Sequence, residues 1–290
     1  MDLVLPDKNV LPMLRIDAHQ HFWKFDPVRD SWINDEMLQI RRDFFPEDLR
    51  PILEKHHFDG CVAVQASESM KENEFLAELA DEHDFIKGIV GWVDLNSKEV
   101  EEQIEFCSIW PKIKGFRNIL QHQPVRDCML DPKFLNGLRA MGKYGYTYDL
   151  LVLADQLPYV KSLVAKFPNQ KFVIDHLAKP EIKSGQIAEW AKWMAEIAGF
   201  ENVYCKISGM VTEADWKNWC LEDFYPYMET VVEAFGIERV MYGSDWPVCL
   251  VAASYDETIE IVQDYFASFS VNEQEKFFGG NAEEFYQLSI

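Results

Sequence analysis

The chain has 290 residues, 48% of them hydrophobic and 27% charged, with a formal net charge of −21. That charge would repel a phosphate backbone, which argues against nucleic-acid binding, and no apolar run approaches the ~18 residues of a membrane-spanning helix. The length fits one large domain, since an α/β barrel of about 250 residues is a common solution at this size.

Met1 to Pro12 lacks the basic start and long apolar core of a secretory signal, and reads as an extension ahead of the fold of a cytoplasmic protein. Short β-rich runs follow at Leu14 to Ala18, Gly60 to Gln65, Ile86 to Val93, Ile113 to Ile119, Tyr146 to Val152, Lys171 to Asp175, Val203 to Ile207 and Arg239 to Tyr242. Between them, stretches such as NEFLAELADEHD and IAEWAKWMAEIAGF repeat apolar residues at intervals of three and four, the spacing of amphipathic helices. Eight such alternations predict a single (β/α)8 TIM barrel over residues 1–290. An open doubly wound sheet is the alternative, although no GxGxxG follows the first strand. Phe22 to Phe58 shows no strand pattern and is predicted to be a long loop over the C-terminal mouth. The six cysteines form no CxxC pair and read as small hydrophobes in a reducing compartment, with a disulfide framework as the alternative.

Chemistry-bearing residues fall at the ends of the predicted strands. In RIDAHQHFW, His19 and His21 stand two apart, so on a strand both imidazoles point one way. That arrangement suits two metal ligands or two donors aimed at one carbonyl, against the plainer reading of a turn in which one histidine caps the backbone. His176 ends strand six in VIDHLAKP and Asp245 ends strand eight in YGSDWP, so a barrel would converge all four on one site. Singly, His176 is a core histidine and Asp245 a helix cap. Arg117 and Lys206, near the ends of strands four and seven, are cations for a carboxylate or sugar hydroxyls. Gln65, Asn118 and Gln121 add neutral donors and acceptors, with His122 beside them. Trp246 and Trp32 offer flat faces to a sugar ring, as Trp23 and Trp92 also do.

The motifs IDAHQHFW, VIDHLAKP, CKISG, YGSDWPVC and GNAEEFYQL, in this order from Arg15 onward, resemble the amidohydrolase superfamily. Within it, the likeness is to the branch of sugar lactonases and 2-pyrone-4,6-dicarboxylate lactonases. The resemblance implies hydrolysis of an aldonolactone of the L-fucono or L-rhamnono type. Asp245 would act as base and then acid, and His19, His21 and His176 would polarise the carbonyl. It also implies one divalent ion, zinc first, on His19, His21 and Asp245, or no metal at all. A binuclear centre is not expected, because strand five offers no histidine and strand four no bridging lysine or glutamate. The partner implied is a small-molecule sugar lactone, with the oligomeric state open. A metal-dependent decarboxylase of the same superfamily, acting on an aromatic or muconate-like acid, is the second enzyme reading. A barrel that binds without turnover is the third.

Overall fold

Strands of a parallel sheet are buried on both faces, and here apolar runs such as GCVAV and FVI alternate with strands that carry polar residues inward at the mouth, such as IDAHQ and IKGFRNI. The computed structural model describes residues 14–289. Its strands are β1 (Ile16–Gln20), β2 (Gly60–Val64), β3 (Ile86–Gly91), β4 (Ile113–Ile119), β5 (Thr147–Leu151), β6 (Phe172–Ile174), β7 (Val203–Ile207) and β8 (Val240–Tyr242). All neighbours pair in parallel and in chain order. The seam between β8 and β1 is closed by backbone bonds from Asp245 N to the His19 carbonyl (2.8 Å) and from His21 N to the Trp246 carbonyl (2.7 Å). The molecule is the single eight-stranded barrel that the sequence predicts. The proposed extension, Met1 to Pro12, lies outside the described residues.

Helices α1 (Pro46–Lys55), α2 (Met70–Glu82), α3 (Val100–Cys107), α4 (Pro132–Lys143), α5 (Leu157–Val164) and α6 (Ala188–Ala198) form the outer layer. That layer continues with a single turn, α7 (Met210–Glu213), then α8 (Tyr225–Phe235), α9 (Tyr255–Phe266), α10 (Val271–Glu275) and α11 (Asn281–Tyr286). Helix α9 shows how the sequence sets such an element. Ser254 Oγ accepts from Glu257 N, and the Glu257 carboxylate accepts from Ser254 N at 2.7 Å, a capping box that contributes about 1 kcal/mol. Tyr255, Ile259, Val262 and Phe266 then face the sheet. No helix among the described residues is long and apolar enough to cross a membrane.

Two cores result. The larger lies between sheet and helices and takes the outward residues of the strands, such as Cys61, Phe116, Tyr148 and Ile174. The smaller fills the foot of the barrel with the inward residues Ile16, Ala18, Val62, Val64, Val173 and Met241, and is plugged by Phe285, Tyr286 and Leu288.

Three sequence expectations are corrected. β1 begins at Ile16 and runs through His19 to Gln20, two residues beyond the predicted end at Ala18. β6 stops at Ile174, because residues 176–179 turn left-handed. The segment 22–58 contains helix α1; Pro46 at its first turn, with Asp48 accepting from Phe45 N, was the available signal.

Candidate active site

At the C-terminal end of the strands the barrel opens into a cavity of about 330 Å³. His21, His176, Asp245 and Arg117 lie at its floor. His19 is wholly buried just beneath, with no exposed surface.

A β-bulge brings the first histidine inward. The register of β1 on β2 shifts between Asp17 and Gln20. Ala18 therefore points into the barrel and His19 follows it inward, while Gln20 turns out to meet Cys61 Sγ at 3.3 Å. The Asp17 carboxylate fastens this kink across the seam, accepting from His19 N (3.2 Å), Ser244 N (2.9 Å) and Tyr255 Oη (3.1 Å). Burial lifts the Asp17 carboxyl to about 6 against those hydrogen bonds.

His176 and Asp245 are held by backbone that L-residues rarely adopt. His176, Leu177, Ala178 and Lys179 all have φ between 49° and 56°, and Asp245 has φ 57°. Each such residue costs on the order of 1 kcal/mol, so the surrounding structure must enforce the turn. Trp190 of α6 does so by donating its indole N–H to the Leu177 carbonyl at 2.7 Å. Glycines make room for the rings. A Cβ on Gly209 would lie 2.6 Å from His176 Nδ1, and one on Gly243 2.6 Å from the Cβ of His19. The motifs CKISG and YGSDWP are in part the mould of the two histidines.

His21 Nδ1 donates to the Val64 carbonyl at 2.8 Å, which turns Nε2 inward. That Nε2 lies 3.3 Å from His19 Nε2 and 3.4 Å from Asp245 Oδ1, and His19 Nε2 is 4.0 Å from the same oxygen. Zinc bonds of about 2.0–2.2 Å in tetrahedral geometry separate ligand atoms by about 3.3–3.6 Å, so the two edges at His21 match one divalent ion, while the 4.0 Å edge would have to close by a few tenths of an ångström and Arg117 Nη1, 3.2 Å from His19 Nε2, would have to give way. The outer nitrogen of His21 is seated on a carbonyl as a ligating imidazole requires, whereas His19 Nδ1 lies between Asp175 Oδ1 at 3.3 Å and the Lys206 ammonium at 3.1 Å. Asp175 could join a second group with His19 and His176, but its oxygens already face Arg117 Nη1 (3.0 Å) and Lys206 Nζ (3.0 Å).

Electrostatics divide the roles. Burial pushes Asp245 up, but His176 and His21, with Lys179, outweigh it and hold the carboxyl below its ordinary value, so it is ionised at neutral pH. Burial pushes His19 and His176 well below the ordinary imidazole value, against the pull of Asp175 on the first and Asp245 on the second. His176 Nδ1 meets Ser208 Oγ at 2.8 Å, and its Nε2 faces Asp245 Oδ1 at 3.9 Å.

Of the residues predicted to touch substrate, Arg117, Gln121 and Trp32 line the cavity, as His122 and Trp23 do. Lys206 does not. It is wholly buried below His19, with Nζ against Asp149 Oδ2 (2.5 Å), Asp175 Oδ1 (3.0 Å) and His19 Nδ1 (3.1 Å). Trp246 follows inward-facing Asp245 and points the other way, packing on Phe22 and Phe44 with 2% exposure. Asn118 likewise follows Arg117 and turns out to Tyr148 Oη and the Val93 carbonyl. Gln65 is spent on the Arg117 backbone carbonyl, at 3.1 Å, and has no face on the cavity. Sequence reasoning missed Asp149, Asp175 and Asp17, which seat the histidines and Lys206, and Lys179 and Glu213, an ion pair at 3.1 Å in the cavity wall. Asp175 and Lys179 flank His176 within VIDHLAKP, so the signal was adjacency to a recognised ligand type.

Comparison with known proteins identifies the family and the fold. The profile of the amidohydrolase family matches residues 16–288. An L-fucono-1,5-lactonase of Burkholderia multivorans is 36% identical over 288 residues, covering 95% of this chain and 96% of its own. An L-rhamnono-gamma-lactonase of Scheffersomyces stipitis is 26% identical over 224 residues, 67% of this chain and 66% of its own. Among solved structures, a Burkholderia multivorans amidohydrolase with bound zinc superposes with a TM-score of 0.92 at 37% identity, covering 95% of this chain and 100% of that one. With a family profile running from β1 to the end of the barrel plug, the chain belongs to the amidohydrolase family.

Proposed function

We propose that the protein hydrolyses a sugar lactone, of the L-fucono-1,5- or L-rhamnono-1,4-lactone type, to the aldonic acid. The observation that carries this reading is Asp245, a buried carboxylate held ionised among three imidazoles at the floor of the cavity. The relatives named as lactonases of 6-deoxy sugars support it.

Asp245 takes the proton from water as the oxygen attacks the lactone carbonyl. N–H groups of Arg117 and His176 are donors available to the developing oxyanion. Collapse of the tetrahedral intermediate breaks the ring C–O bond, and the departing alkoxide takes the proton back from Asp245. His19, His21 and Asp245 would hold a divalent ion, which when bound supplies Lewis-acid polarisation of the carbonyl and a more acidic water.

The walls fit a deoxy sugar. Gln121, His122, Lys179 and Glu213 offer hydroxyl-binding groups on one side, while Trp32, Met37, Val248 and Val251 present apolar surface on another. Acid release from a panel of aldonolactones, followed with a pH indicator and corrected for spontaneous opening, tests the proposal. Rapid turnover of one stereochemical subset is expected. No turnover across the panel, together with carbon dioxide release from an aromatic acid, would replace the lactonase by the decarboxylase.

A further inference from the structure

The closing motif GNAEEFYQL has no part in the site described so far, although it lies in the plug of the barrel. Asn281 Nδ2 donates to the carbonyls of Ile237 (2.6 Å) and Val240 (2.7 Å), tying α11 to the start of β8. Gly279 passes so close to the entry of β1 that a Cβ there would lie 1.6 Å from the Leu14 carbonyl oxygen. The plug is thus fixed to both strands of the seam.

From this plug one polar group reaches upward. Tyr286, 1% exposed, donates its hydroxyl to Asp149 Oδ2 at 2.8 Å, and its ring centre lies 5.4 Å from Lys206 Nζ. The same carboxylate oxygen receives Lys206 at 2.5 Å, and Lys206 in turn meets His19 Nδ1 at 3.1 Å. We propose that Tyr286 is a positioning residue, which through Asp149 and Lys206 sets the place of His19 from the foot of the barrel.

The physical argument is a competition. Lys206 is shared by two buried carboxylates, Asp149 and Asp175, and His19 stands on the Asp175 side. Among the described residues Asp149 Oδ1 has no hydrogen-bond partner, so the anion depends on what reaches Oδ2: Lys206 and the Tyr286 hydroxyl. Without that hydroxyl the anion leans wholly on Lys206 and draws it away from Asp175 and His19. Loss of the direct partner of a ligating imidazole typically costs 10- to 100-fold, and Tyr286, which stands two residues further back, is set at the low end of that range, about tenfold.

The kinetic part of the test rests on the lactonase reading; the spectroscopic part does not. Tyr286→Phe removes one oxygen and leaves the apolar plug, so melting should shift by only a few degrees. Because Tyr286 is far below the cavity lining, kcat on the best lactone should fall about tenfold with KM unchanged. The imidazole 15N resonances of His19 should move while those of exposed His57 stay. Asp149→Asn, one link nearer His19, removes the competing carboxylate, so Lys206 should settle toward Asp175 and the His19 resonances should move in the opposite sense, again with a loss of kcat. Leu288→Ala, which loosens the plug without touching the chain of polar contacts, should lower melting and leave kcat and His19 as they were. Unmoved His19 resonances in Tyr286→Phe and Asp149→Asn would overturn the proposal, as would a loss of kcat in Leu288→Ala equal to that in Tyr286→Phe. If wild-type protein opens no lactone, the functional reading fails while the resonances still decide this one.

Discussion

The two ends of the barrel are built on opposite principles. At the foot, inward positions carry Val62, Val64, Val173 and Met241, which need only fill volume. At the mouth, His19, His21, His176, Asp175, Asp245, Arg117 and Lys206 are each 5% exposed or less. Their burial is tolerable only because every charge has an opposite charge or a hydrogen bond beside it. Stability is therefore concentrated where shape alone matters, and function where orientation matters. Trimming an apolar side chain at the foot should move stability alone, and changing a polar side chain at the mouth should move mainly function.

The sharpest break of that contrast is Asp245→Asn. It keeps the volume and the backbone but removes the proposed base, so kcat should fall by about 10²–10⁴-fold with melting and circular dichroism preserved. Wild-type turnover in this variant would remove Asp245 from the reaction. Gly209→Ala should damage both properties. The new methyl meets His176 Nδ1, and alanine is strained at φ 60°, so a loss of roughly 1–3 kcal/mol in unfolding free energy should accompany a kcat loss of about 10–100-fold.

Asp17 sharpens the contrast through pH. Its folded-state carboxyl titrates near 6 instead of 3.8, so the folded chain holds the proton more tightly than the unfolded one. The resulting stabilisation is complete below about pH 4 and is lost as pH rises through about 6. The margin of wild type over Asp17→Asn in denaturant titrations should shrink by about 3 kcal/mol across that window; a margin that grows with pH would contradict the assigned burial. At the foot, Val173→Ala should cost about 1–2 kcal/mol and leave kcat and KM unchanged. Smallest of all, Trp32→Ala on the cavity wall, with the residue 42% exposed, should raise KM a few-fold and alter neither kcat nor melting.

How far the sequence was legible follows the same division. The strands could be read because each is a short β-rich run between helical stretches and turn residues, and the eight runs begin within two residues of the observed strands. The polar cluster could be read only where residue type and strand end coincided, as at His19, His21, His176 and Asp245. The errors came from side-chain parity and depth. Trp246 and Asn118 sit beside inward residues and so face outward, and Lys206 points inward but one layer too deep to meet a substrate. The β1 bulge and the left-handed turn at residues 176–179 have no signature in composition or periodicity, since each is enforced by distant partners such as Asp17 with Ser244 and Trp190 with Leu177.

The most direct test of the central claim is mass spectrometry of the product formed from an aldonolactone in 18O-labelled water, with the uncatalysed reaction subtracted. Attack of water on the carbonyl predicts an aldonic acid that has gained one water, with the heavy oxygen in its carboxylate. A product without that label, or recovery of unchanged lactone, would contradict the account.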